Sequence, residues 1–149
     1  MREILFRAKR IDNGEWVEGW YQPPVEVTHC DGRKESLGAS LSVIGQDGFL
    51  EDVYIIPETL GQFTELTDKN GKKIFEGDIV RVCLDPEICV GDVIWDKEIA
   101  SYNIPFNNGK CVLPLDIFIA KNKVGDKVWI EVIGNIHDNP ELLEVTNNA

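Results

Sequence analysis

No run of about eighteen apolar residues occurs in the chain, so no segment reads as a membrane-spanning helix. Helical periodicity is almost missing as well, which sets aside helix bundles and coiled coils. The cysteines Cys30, Cys83, Cys89 and Cys111 form no C-x-x-C pair, and this excludes a zinc ribbon or a thioredoxin-type motif. Cys83 and Cys111 stand among apolar neighbours and read as reduced core thiols. Histidine is scarce, with only His29 and His137 available as an imidazole base or ligand. Neither a Gly-x-Ser-x-Gly elbow nor a glycine-rich phosphate loop is present. The expectation is therefore no catalytic residue, no cofactor, no metal site and no enzyme. The charged opening from Met1 to Arg10 lacks the apolar core of a secretory signal, which points to a cytoplasmic protein with no membrane attachment.

Positive charge is also in short supply. Fifteen basic residues face 26 acidic ones, a net charge of −11, which repels a phosphate backbone at long range. The one local basic cluster, Arg7, Lys9 and Arg10, reads as a solvated strand end.

What remains is a succession of short apolar runs separated by turn residues, the pattern of a mostly β protein. Glu3 to Ala8 and Glu15 to Tyr21 flank Asp12-Asn13-Gly14 and predict an N-terminal hairpin. Val25 to His29 predicts an edge strand after Pro23-Pro24, and the polar Cys30 to Gly38 segment predicts a loop. Leu41 to Ile44 and Asp52 to Ile56 predict two more strands. Asp68-Lys69-Asn70-Gly71 is a strong turn signal. Glu76-Gly77-Asp78 before Ile79 to Val82, and Gly91-Asp92 before Val93 to Trp95, each place a turn ahead of a strand. Two such strands about a dozen residues apart suggest a small SH3-like barrel. Ile99 to Ile104, Cys111 to Leu113, Ile117 to Ala120 and Lys127 to Ile133 supply further strands. Asn139 as cap with Pro140 at the first helical position predicts one short C-terminal helix. The expected organisation is an N-terminal antiparallel β region over 1–60 and an SH3-like barrel region over 61–149, two domains or one intertwined domain.

Several blocks taken together carry a resemblance. These are Arg2 to Ala8, Gly14 to Gly19, Gly61-Gln62-Phe63-Thr64, Asp68 to Lys72, Ile74 to Val80, and Val132 to Leu143. In them the chain resembles the YopX family of small phage and prophage proteins. The resemblance implies mostly β architecture and a phage or prophage origin, and it transfers no catalytic residue. Where the family pattern reads Phe-Thr-Gly-Leu this chain has Glu65, which speaks against a tight glycine turn there, and His137 stands where Tyr is common.

Candidate sites are few. Glu76 and Asp78 are spaced to hold a hard cation or to do acid/base work, although a Gly-Asp turn at a strand entrance needs no ligand and Asp78 reads first as a cap on its own turn. Counting from Asp68, the twelfth residue of a calcium loop would be the apolar Ile79, which removes an EF-hand. Trp16, Trp20 and Tyr21 are candidate binding anchors, because such rings bury much area and offer a polar handle. Two functions follow as expectations. One is a self-associating interaction module, a homo-oligomer that also engages a host or phage protein. The other is a nucleic-acid-linked role, either a barrel touching DNA or RNA or an acidic mimic competing for a DNA-binding protein.

Overall fold

The structure, a computed structural model, describes residues 4–84, 86–106, 111–115 and 128–143. Among these the chain forms fourteen β-strands, a 3-10 turn at Pro57–Thr59 and a single turn of α-helix at 141–143. It divides into two compact units, Met1–Gln62 and Phe63–Ala149.

In the first unit, β1 (Phe6–Lys9), β2 (Trp16–Gln22), β5 (Ser40–Ile44) and β6 (Leu50–Tyr54) form an antiparallel sheet in the order β6-β5-β2-β1. The predicted hairpin closes where the Arg10 N–H meets the Glu15 carbonyl at 2.9 Å and the Asn13 side-chain oxygen accepts the Glu15 N–H at 2.9 Å. Alternation then sorts the side chains. Ala8, Leu41 and Ile55 are fully enclosed with Ala39, and Phe6, Val17, Tyr21, Val43 and Leu60 pack around them. Burying a side chain the size of Leu41 contributes about 2 kcal/mol by apolar transfer. A bridge between Arg10 and Ile55 and the Ile56 N–H to Lys9 carbonyl bond at 2.9 Å bring the end of β6 back beside β1. Gly19 is required by packing: a Cβ there would collide with the Ser42 carbonyl of β5.

The Cys30 to Gly38 segment, expected as a loop, is a turn followed by a strand over Lys34–Leu37. Asp31-Gly32 makes a tight turn, with the His29 N–H on the Arg33 carbonyl at 2.8 Å, and β4 (Lys34–Leu37) pairs with β3 (Val25–Thr28) as a two-stranded ribbon. Backbone pairing suffices to order it, so its polar side chains gave no alternation to read.

β7 (Gly61–Thr67) leaves this unit and enters the second, where it pairs with β8 (Lys73–Phe75) across a register shift. The central strand of the second unit is β9 (Asp78–Leu84), flanked by β10 (Ile88–Asp92) and β14 (Val128–Asn135). A second three-stranded sheet holds β11 (Ile94–Asp96), β12 (Ser101–Phe106) and β13 (Cys111–Pro114). Ile74, Val80, Val82, Val93, Ile104, Phe106, Leu115 and Ile130 make the core.

The SH3-like closure expected here is not found: among the described residues the strands form two open sheets and no closed barrel. The physical reason lies at Val93. Its N–H bonds to the Asp78 carbonyl and its carbonyl accepts the Gly77 N–H, both at 2.9 Å. Pairing of β10 with β9 ends at Asp92, and β11 pairs instead with β12. The expected strand at Ile117 to Ala120 lies outside the described residues. The short helix is present, but Asn139 does not cap it from the side chain; its oxygen accepts the Asn135 N–H at 3.3 Å.

Two conformational features carry expected outcomes. Asp68 is nearly inaccessible, and its Oδ1 accepts the Asn70 and Lys72 N–H groups while Oδ2 accepts the Val132 N–H, all at 2.9 Å. Asp68→Ala strands those donors and should lower unfolding free energy by about 3 kcal/mol or more in urea titrations. Glu65 adopts φ +71, the left-handed region that glycine favours, although a glutamate there was expected to speak against such a turn. The glycine conformation is thus kept without the glycine. Glu65→Gly relieves that strain and should raise stability by about 1 kcal/mol in the same titrations, net of glycine's backbone entropy.

Candidate functional site

The side of the N-terminal sheet opposite its core is the candidate site. Register places Trp20 beside Ser42 and Ser42 beside Asp52 in one row. The next row sets Gln22 beside Ser40 and Ser40 beside Tyr54. Ile44 and Leu50 pair on the same side. Trp20 is 50% exposed, Tyr54 50%, Ile44 66% and Leu50 67%. Polar side chains tie the rows together: Gln22 donates to the Ser42 hydroxyl at 2.6 Å, and that hydroxyl donates to Asp52 Oδ1 at 2.8 Å. Holding the small serines between large neighbours leaves the rings and aliphatic chains standing proud.

At the rim, a shallow depression of about 210 Å³ lies between residues 10–12 and 51–54. Arg10 there is neutralised by Asp12, with Nε and Nη2 on the two carboxylate oxygens at 2.9 and 2.8 Å. That bond holds the Asp12 carboxyl below its ordinary range and the guanidinium above its own.

The structure separates the five residues that the sequence singled out. Trp16 and Trp20 share the outer face, with Arg7 at 4.9 Å and Lys9 at 5.4 Å from the Trp16 ring centre. Tyr21 points the other way, into the core, its ring 5.6 Å from Phe6. Glu76 and Asp78 belong to the second unit. Gly77 takes φ +90 between them, and Asp78 is 1% exposed with its Oδ2 accepting the Phe75 N–H at 2.8 Å. Asp78 is thus engaged by its own turn. Among the described residues no group of three or more His, Cys, Asp or Glu is placed to hold a metal ion, and no helix is long and apolar enough to cross a membrane.

The YopX protein family matches residues 5–144. The chain belongs to that family. Among solved structures it is similar to the crystal structure of protein EF1440 from Enterococcus faecalis, at 22% identity and a TM-score of 0.48, over 96% of this chain and 99% of that one. No curated protein matches it.

This YopX chain shows a second cation and aromatic cluster, on the outer side of β9 and β14. Lys69 lies 4.1 Å and Arg81 5.7 Å from the Trp129 ring centre, and Arg81 Nη2 donates to Glu131 Oε2 at 2.6 Å. Sequence reasoning missed this cluster, because the turn at 68–72 reaches β14 only through tertiary contact, with the Lys69 N–H on the Ile130 carbonyl at 3.0 Å. It missed Ile44, Leu50 and Tyr54 as well; the alternation of Leu50, Asp52 and Tyr54 was the available signal.

Two carboxyls give the fold opposite pH responses. The Arg81 hydrogen bond, then the nearby Lys69 charge, holds Glu131 below its ordinary value of 4.5. Its stabilisation is present above that value and is lost as the pH falls through the depressed folded value. Burial instead raises Asp92, so its contribution is present below 3.8 and is lost as the pH rises through the raised folded value. Glu131→Gln should therefore flatten the acid limb of a melting-temperature profile, while Asp92→Asn should flatten the rise-side loss and leave the acid limb in place.

Proposed function

We propose that this YopX-family chain is a non-catalytic phage or prophage accessory protein of the host cytoplasm that works as a self-associating protein-interaction module. The observation that carries the reading is the outer face of the N-terminal sheet. Four large side chains, Trp20, Ile44, Leu50 and Tyr54, stand exposed together on one regular surface. Contiguous exposed apolar groups with aromatic anchors are the mark of an interaction surface.

Self-association is assigned to the β3–β4 ribbon. Among the described residues each of its strands pairs only with the other, and most of its side chains are exposed. Isolated two-stranded ribbons are marginal in water, and an outer strand edge accepts another strand.

A second reading has its own observation. Trp16 with Arg7 and Lys9, and Trp129 with Lys69 and Arg81, each combine a ring and cations, the elements used to stack and neutralise single-stranded nucleic acid. The net charge of −11 opposes it, and the same charge suits an acidic mimic of nucleic acid.

Light scattering of the full chain should show a dimer or larger species that falls to monomer when prolines replace Glu26 and Ser36 in the ribbon. A pull-down from phage-bearing host lysate should retain a protein that Trp20→Ala loses. A strict monomer with no retained protein overturns the module reading. Retained nucleic acid with a steep loss on adding salt places the second reading first.

A further inference from the structure

We propose that Asn70 is a self-modification site, where cyclisation onto Gly71 and hydrolysis turn the side-chain amide into aspartate or isoaspartate and release the 68–72 turn from β14. The step lies apart from the interaction reading and needs no co-reactant but water.

The Gly71 backbone nitrogen attacks Asn70 Cγ. A C–N bond forms, the Cγ–Nδ2 bond breaks, and ammonia leaves with the proton lost from the Gly71 nitrogen. Water then opens the cyclic imide at one of its two carbonyls. Opening at Cγ gives aspartate, and opening at the main-chain carbonyl gives isoaspartate, with the chain rerouted through the side chain. Nothing is oxidised or reduced. Glycine suits the step because it has no Cβ to obstruct the approach.

The sequence holds three such pairs, Asn13-Gly14, Asn70-Gly71 and Asn108-Gly109, the last outside the described residues. The first two share their backbone circumstances. Gly14 and Gly71 have φ +72 and +80, and open space lies where a Cβ would stand. Their N–H groups bond at 3.0 Å to the Arg10 and Asp68 carbonyls respectively. The side chains differ. Asn13 Oδ1 accepts the Glu15 N–H at 2.9 Å and Nδ2 donates to Glu15 Oε2 at 3.4 Å, so both ends of that carboxamide are held. Asn70 uses only its backbone N–H, on Asp68 Oδ1 at 2.9 Å. Its exposed carboxamide has no hydrogen-bond partner among the described residues and can turn toward Gly71.

Position supplies the consequence. The Asp68 N–H bonds to the Lys72 carbonyl at 2.8 Å, and Asp68 Oδ1 holds both the Asn70 and the Lys72 N–H. Isoaspartate adds one main-chain atom inside this ring of bonds, so the two sides of the turn no longer match. Aspartate keeps the chain length but sets a second carboxylate near the buried Asp68. Both products weaken the hold of Asp68 Oδ2 on the Val132 N–H and of the Lys69 N–H on Ile130, isoaspartate the more.

The test ages the full chain in mildly alkaline buffer at physiological temperature, and peptide mapping by mass spectrometry reads each asparagine separately. Asn70 should convert several-fold faster than Asn13. In urea, where neither side chain is held, the two rates should converge. Amide hydrogen exchange at Val132 should become about tenfold faster or more, the loss of one hydrogen bond to a charged group, in step with isoaspartate at position 70. Asn70→Gln changes only a side chain without a partner, and its longer chain closes the imide far more slowly. Unaged, it should match the parent chain in exchange; aged, it should keep Val132 protected, whereas Asn108→Gln should not. Unaged Asn70→Asp should show the smaller effect of the aspartate product.

Equal conversion of Asn13 and Asn70 in the folded chain overturns the assignment. So does a rate difference that persists in urea, which places its cause in the neighbouring sequence rather than in the fold. Conversion at Asn70 with Val132 still protected overturns the release of the turn, as does equal loss of protection in aged Asn70→Gln.

Discussion

A buried carboxylate with three backbone donors holds the second unit together. Asp68 satisfies its own turn through Asn70 and Lys72, and it reaches Val132, 64 residues away in sequence, with its other oxygen. The neighbouring Lys69 N–H bonds to Ile130 along the same strand. A turn between β7 and β8 is thereby fixed to the edge of β14, an edge that would otherwise present open backbone groups. Lys69 arrives over Trp129 as a consequence, and Glu131 gains a second cation beside Arg81. Asp78 does related work at the next turn, where its carboxylate holds the Phe75 N–H and its carbonyl holds the Val93 N–H. Acidic residues in this protein are thus partly structural: they satisfy backbone donors that burial would otherwise leave open.

The first unit depends on a different constraint, the period of two in a β-strand. Ala8, Leu41 and Ile55, with Phe6, Val17, Tyr21, Val43 and Val53, occupy the inner face, and the alternate apolar residues of the same strands face outward. Trp16, Trp20, Ile44, Leu50 and Tyr54 are those residues. Between them lie the buried Ser40 and Ser42, the Ser42 hydroxyl tied to Gln22 and Asp52. Large exposed anchors set among polar groups are the feature on which the proposed interaction role rests.

Residues whose side chains act locally were readable in advance. Asn13-Gly14 and Asp68 to Gly71 turn the chain where they stand in the sequence, and the apolar runs became strands with boundaries shifted by a few residues. Two kinds of feature were not readable. β4 is ordered by the backbone pairing of largely polar residues with β3, which leaves no periodic mark. Glu65 holds a glycine-like conformation because the bonds of Thr64 to the Ile74 carbonyl and to the Leu66 N–H bend β7 on either side of it. There the surroundings override local preference.

Family membership and β content were therefore determined by the sequence, since each depends on residue types and near spacings. Which face of a strand met the core was decided only by tertiary structure. Trp20 and Tyr21 are adjacent and similar in character, yet one faces outward beside Asp52's row and the other packs on Phe6. The register of β2 against β5 makes that assignment, and register is a property of two strands that no single strand carries. Val93 makes the same point for the barrel: a continuous apolar run was visible, but the switch of partners from β9 to β12 arises from hydrogen bonds donated and accepted by a distant turn.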